Sequence, residues 1–399
     1  MNCQRAEFSL PTGLHYLNCA YMSPLSKTVE QAGIRAVEQK RNPVNVSPEE
    51  YFAVPDRLRA AFAQLINGDR HRVALLPSVS YAMAIAVNHL RIDPGQNVVV
   101  IGEEFPSAVL PWRRLTRELG RTLRTVQAPA QTRRGALWNE RVWNAIDRDT
   151  AVVVLPHVHW SDGTLFNIRE IAQRARDVGA AVLIDGTQSI GALPFDTQEV
   201  QPDLLVTAGY KWLMGGYGLS LAHFGPRFDG AVPLEDAWLN QQGSDDFSQL
   251  AQYRDAYRND ATRFDGGERA HFILAAMLRA SIEQLLAWGV GNIQQYCADL
   301  TKPWLDNAEQ LGIWVEEPEY RAAHLFGLRS THPCDLSVVA AMLKSNDVHV
   351  SVRGDAIRVS PHVYNDSSDV DALFNALRVA NFSMPHKHRP LTSSVSVTY

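Results

Sequence analysis

Cysteine is scarce in this sequence. Cys3, Cys19, Cys297 and Cys334 are the only four in 399 residues, with no CxxC pair and no zinc-ligand spacing. So few thiols in so long a chain argue against a disulfide framework and fit a reducing compartment, so a cytoplasmic location is expected. Long apolar runs are missing too. The opening MNCQRAEFSLPTG has no apolar core and no later run reaches membrane length, so neither a secretory leader nor a membrane partner is expected. Nor does one sign of charge dominate. The 38 basic and 43 acidic residues leave a net charge of -5, and no dense Lys/Arg tract occurs. A nucleic-acid partner is therefore not expected. What is present is ordinary: 46% hydrophobic and 20% charged residues, ample material for a sizeable core.

The length exceeds what one growing core usually supports, so two domains are expected. Residues 1–50 are short of strands, with a helix over 29–39 and a second over 57–66. From residue 73 short apolar strands alternate with amphipathic helices. Strands are expected at 73–76, 97–101, 121–126, 151–155, 181–184, 204–207 and 219–224. Helices are expected at 80–90, 111–119, 137–148 and 168–178. Apolar runs separated by helices suit a mainly parallel sheet covered on both faces, hence an α/β class. Residues 229–260 read as irregular. Helices over 269–288, 293–311, 336–345 and 370–382, with strands near 314–316, 323–328, 348–352 and 356–359, read as a small α+β domain. The expected division is residues 1–50 packing on the small domain, 51–265 as the large domain, 266–382 as the small one, and 383–399 as a flexible tail.

The chemistry concentrates in AVLIDGTQSIGALPFD and DLLVTAGYKWLMGGYG. Asp185 ends an apolar strand, at the sheet edge where open α/β folds bind ligands. Lys211 follows just past the next strand, so one crevice can hold both. A lysine amine forms a Schiff base with an aldehyde cofactor. Pyridoxal phosphate is such a cofactor, and its ring nitrogen needs an acidic partner to stay protonated. Asp185 suits that role, and Lys211 suits proton transfer at the substrate carbon. Taken singly, Lys211 also reads as a solvated loop lysine and Asp185 as a helix cap. Gln188 offers a hydrogen bond to the cofactor phenolate, or is only a polar helix residue. Tyr210 orients the cofactor, or anchors the loop. Thr207 gives a phosphate hydroxyl, or merely ends a strand.

These residues resemble the class V aminotransferase family of fold-type I pyridoxal-phosphate enzymes, which includes cysteine desulfurases, kynureninases and isopenicillin-N-epimerase-like proteins. IDGTQSIGALPFD and TAGYKWLMGGYGL carry the resemblance, supported by RFDGGERAHF and IRVSPHVYN. It implies a large domain with a mainly parallel sheet, a small C-terminal domain, and Lys211, Asp185 and Gln188 in the roles above. It makes PSVSYAM the phosphate-binding turn, through Ser78, Val79 and Ser80. Phe105 in EEFPSAVLPW corresponds to the aromatic residue stacked on the ring. His159 in LPHVHWSDGT corresponds to a polar residue near the phenolate or imine. His157, His159 and Asp162 also hint at a metal, but no fourth ligand is visible and none is expected. Arg358 resembles the arginine that clamps the substrate carboxylate, with Arg353, His324 and Asn18 as further pocket residues. Arg263 and Gly267 look like part of a loop crossing to the partner of a homodimer with shared active sites. A GG pair replaces a common GT there, and GGYG after Lys211 replaces a common GPxG.

The small-molecule substrate is thus expected to be an amino acid or related amine, and aminotransferase activity is the first expectation. A lyase or an epimerase is the alternative, since both begin at the same substrate carbon. Desulfuration is less expected, because HVSVRGDAIRVS carries no cysteine upstream of Arg358 and Cys334 stands at the start of a helix.

Overall fold

Along each long strand, alternate side chains enter two different cores, and this two-sided burial fixes the architecture. Leu75, Val99, Val153, Val182 and Leu205 enter one cluster. Their neighbours Ala74, Val98, Val152, Ala181 and Leu204 enter the other. A strand apolar at every position can satisfy both faces only inside a layered sheet. The computed structural model describes residues 1–130, 133–380 and 382. Its main sheet has seven strands in the order Val73–Leu76, Ser220–Phe224, Leu204–Ala208, Ala181–Asp185, Thr150–Pro156, Asn97–Ile101 and Thr122–Val126. Only Ser220–Phe224 runs antiparallel to its neighbours. The expected strands of this region are all present, and the α/β class with a mainly parallel sheet holds.

Helix boundaries moved more than strands did. The helix expected over 111–119 is Pro106–Leu119, because Pro106 occupies the first turn, where a missing N–H costs nothing. The helix expected over 57–66 is Glu50–Leu65 and accommodates Pro55 within it. The stretch expected as one strand over 348–352 divides into Val348–His349 and Ser351–Arg353. Residues 229–260 contain short 3-10 turns and one bridge, Gln241 to Tyr257. Residues 383–399, expected as a tail, lie outside the described residues.

A second sheet of four antiparallel strands runs Ser351–Arg353, Ala356–Val359, Phe326–Ser330 and Ile313–Trp314. Its core gathers Phe326, Leu328, Ile357, Val359 and Phe374. The N-terminal segment joins this side through His15–Tyr16, parallel to Val348–His349, and through a bridge from Asn18 to Ser360. The helix Phe272–Trp288 packs instead against the helices Lys27–Arg41 and Glu50–Leu65 and joins the core on one face of the large sheet. Ala275, Leu278, Ile282 and Leu285, spaced by three and four residues, form its buried stripe. Among the described residues no single helix is long and apolar enough to cross a membrane.

The loop after Lys211 is set by that helix. A Cβ on Gly215 would lie 2.7 Å from Leu278 Cδ1, and one on Gly216 would lie 2.7 Å from Leu274 Cδ2. Side chains at these positions would force those leucine ends to shift. The two glycines therefore serve close packing rather than mobility alone.

Candidate active site

Three adjacent parallel strands end at one cavity of about 330 Å³. Pro156 ends the first and Asp185 the second. Lys211 follows the third after a tight turn, in which Gly209 N–H donates to Leu219 O and Gly215 N–H to Gly209 O. Asp185 and Lys211 both line the cavity. Asp185 Oδ1 accepts from Thr187 N–H at 2.8 Å. Burial raises the Asp185 carboxyl, while Thr187 and the Lys211 charge pull it down. Burial lowers the Lys211 amine to about 8, against the attraction of Asp185. Arg358 and Arg353 lower it further. An amine tuned in this way is uncharged in part near neutral pH, as a nucleophile or base requires.

One end of the cavity is the start of the helix Val79–His89. Ser78 caps it, accepting from Tyr81 N–H at 3.2 Å, and its hydroxyl lies 2.9 Å from Ser80 Oγ. Free N–H groups, the helix dipole and two hydroxyls make this end suited to an anion. Phe105 stands on the wall, 41% exposed, with Trp160 edge-on at 5.7 Å. Lys211 Nζ lies 5.6 Å from the Phe105 ring centre and 5.7 Å from that of Tyr210. Gln188 lines the floor, where its amide accepts from Trp212 Nε1 at 2.8 Å and donates to Ala20 O at 3.3 Å.

The other singled-out residues stand outside this lining. His159 is fully enclosed. Its Nδ1 lies 3.0 Å from Asp162 Oδ1 and 3.1 Å from Ser161 Oγ, and its Nε2 lies 3.1 Å from Glu103 O. Burial disfavours its charged form, but Asp162 outweighs that and raises it. His324 sits behind Gln188, with Nε2 2.7 Å from the Gln188 carbonyl and its ring edge-on to Trp212. Burial holds it neutral, at about 4. Thr207 is buried with its hydroxyl unpartnered. Gly267 N–H donates to Glu235 at 2.7 Å. Asn18 Oδ1 accepts from Ser351 Oγ at 2.9 Å. Arg358 Nη1 donates to Trp160 O at 2.8 Å, and the Arg353 guanidinium lies 5.8 Å from the Trp160 ring centre.

Among the lining residues that the sequence did not single out are Glu104, Trp160 and Thr187. Glu104 and Thr187 adjoin Phe105 and Gln188, so their motifs carried the only available signal. Trp160 reaches the cavity through the long-range contacts of its loop, which no spacing announces. Glu104 Oε2 is buried without a partner, and burial raises its carboxyl to about 7. An amine, a carboxylate, an exposed aromatic face, a helix start and this orphaned oxygen together fit a small anionic ring cofactor.

Comparison with known proteins agrees with this chemistry. An uncharacterized aminotransferase of Bacillus subtilis is 26% identical over 78% of this chain and 80% of its own. A probable cysteine desulfurase of Methanothermobacter thermautotrophicus is 26% identical over 80% of this chain and 82% of its own. The apo structure of a cysteine desulfurase from Thermococcus onnurineus superposes with a TM-score of 0.79. It is 19% identical and covers 95% of this chain and 98% of its own. The family model for aminotransferase class-V matches residues 48–373. With most of its length inside that match, this chain belongs to the class V aminotransferase family of enzymes.

Proposed function

We propose that this protein is a pyridoxal-phosphate-dependent aminotransferase acting on an amino acid. The observation that carries the reading is the convergence of Lys211, Asp185 and the helix start at Ser78 on one cavity. When bound, pyridoxal phosphate supplies an electron sink for the electron pair released at the substrate α-carbon. Lys211 would hold its aldehyde carbon covalently, and Asp185 its ring nitrogen. Ser78, Val79 and Ser80 would hold its phosphate, Phe105 its ring face and Gln188 its phenolate. Once the substrate amine displaces it from the aldehyde carbon, the partly uncharged Lys211 amine would take the α-proton and pass it to that former aldehyde carbon. Arg358 orients the substrate by its carboxylate. His324 is a positioning residue, holding the Gln188 backbone.

Transfer is favoured over desulfuration by the thiols. No cysteine lines the cavity among the described residues. Cys19 is fully buried, and burial pushes its thiol up to about 12, too high for a nucleophile at neutral pH. Two copies of the chain sharing active sites through residues 229–267 complete the proposal, as does a division into a cofactor-binding domain over 51–265 and a smaller domain over 266–382.

Borohydride reduction of the loaded protein, followed by peptide mass mapping, tests the reading. The cofactor mass should appear on the peptide containing Lys211; its appearance on another lysine, or nowhere, rejects it. The cofactor-free protein should also capture added pyridoxal phosphate faster as pH rises. The folded amine loses its proton near pH 8 rather than near 10.5, because burial disfavours the charged form. Capture rates should therefore climb through a midpoint near 8, and a midpoint above 10 would contradict the burial argument.

A further inference from the structure

We propose that the amino acid bound here is dicarboxylic, its two carboxylates shared between Arg358 and Arg353 beside Trp160. The inference rests on the aminotransferase reading and adds the substrate class. Trp160 lines the cavity and carries both guanidinium groups: Arg358 on its carbonyl, Arg353 over its ring. Arg358 is 2% exposed and its Nε is buried without a partner. Arg353 is half-buried, and its one hydrogen bond to protein is from Nη1 to the carbonyl of Val352 at 2.9 Å.

What sets Arg358 apart among the buried arginines is the absence of a counter-charge. Elsewhere the chain neutralises its buried arginines. Arg59 and Arg269 meet Asp265, and Arg134 and Arg329 meet Asp162. Neither Arg353 nor Arg358 forms an ion pair among the described residues. Asp355, two residues on from Arg353, is engaged with Arg329 at 2.9 Å, and Asp162 is engaged as above. Tyr16 and Cys19 reach Arg358 electrostatically, but burial raises both, so they stay neutral at pH 7. Asp185 is the carboxylate that favours the charged form of Lys211, opposed by both arginines.

A buried, unneutralised guanidinium is costly to keep, and the half-buried Arg353 guanidinium repels it further. An α-carboxylate compensates the first. The half-buried Arg353 stays open to a second anion, and the planar fork of arginine matches a carboxylate with two parallel hydrogen bonds. The phosphate of the cofactor does not serve, since it is assigned to the helix start at Ser78. A dicarboxylic amino acid supplies both charges at once. Its neutral amide isostere leaves one arginine bare.

The test titrates the loaded protein by cofactor absorbance with two isosteric pairs, aspartate against asparagine and glutamate against glutamine. The charged member of at least one pair should bind about 10- to 100-fold more tightly, the range of a charge-assisted bidentate contact. In Arg353→Gln that ratio should fall toward one, and Arg353→Lys should restore part of it. Equal affinities within both pairs, or a ratio that survives Arg353→Gln, overturns the proposal. A protein that gives no cofactor band at all strikes the aminotransferase reading itself, and this inference with it.

Discussion

Lys211→Ala should lower turnover by about 10³- to 10⁴-fold, the scale of a lost general base. The residue stands where two functions coincide. It lies at the mouth of the turn after Leu204–Ala208, 8% exposed, and its amine faces the cavity between Phe105 and Tyr210. Asp185 is committed to the Thr187 amide, and Glu104, raised by burial to about 7, offers no amine to hold an aldehyde. The loss should fall on the chemical step, with the cavity's remaining contacts still holding cofactor non-covalently. Stopped-flow single turnovers separate these effects. Added methylamine should recover part of the rate, because a free amine can enter the space vacated by the side chain. Turnover within tenfold of the natural protein, or no amine response together with intact binding, would remove Lys211 from the chemistry.

The sequence made these strand ends legible because buried parallel strands are continuous apolar runs, and their ends are marked by the first polar residue. Asp185 is such a residue, and Lys211 follows three residues past the end of Leu204–Ala208. Helix starts were less legible. Pro106 reads as a breaker until its place in the first turn is seen, and Pro55 reads the same way inside Glu50–Leu65. Side chains that reach the site across the fold were the least legible. Trp160 belongs to a loop whose path is fixed by Arg358 on its carbonyl and by its indole N–H donating to Glu103 O at 2.7 Å. Neither contact is local in sequence. His159 shows the converse: HVH looks chemically available, yet Asp162, three residues on, turns the ring into the interior.

The motif RFDGGERAHF has a second physical role, and it yields the largest expected change in stability. Asp265 is fully buried. Its Oδ1 accepts from Leu75 N–H at 2.7 Å, and its Oδ2 accepts from Arg269 Nη1 at 2.8 Å and from Arg59 Nη2. Arg59 also donates through Nε to Val73 O at 3.1 Å. One carboxylate thus ties the helix Glu50–Leu65, the edge strand Val73–Leu76 and the segment leading into Phe272–Trp288. Asp265→Asn keeps the shape but removes the charge, leaving two buried guanidiniums with the exposed Asp56 as the remaining ion-pair partner of Arg59 among the described residues. Breaking a buried pair from one side costs about 3–5 kcal/mol. Urea unfolding should show a loss of that size. Glu118→Gln removes half of the exposed pair with Arg114, and such pairs contribute about 0.3–0.5 kcal/mol. If the two variants shift the urea midpoint equally, the buried network does not hold these elements together, and hydrophobic packing of the helices alone must do so.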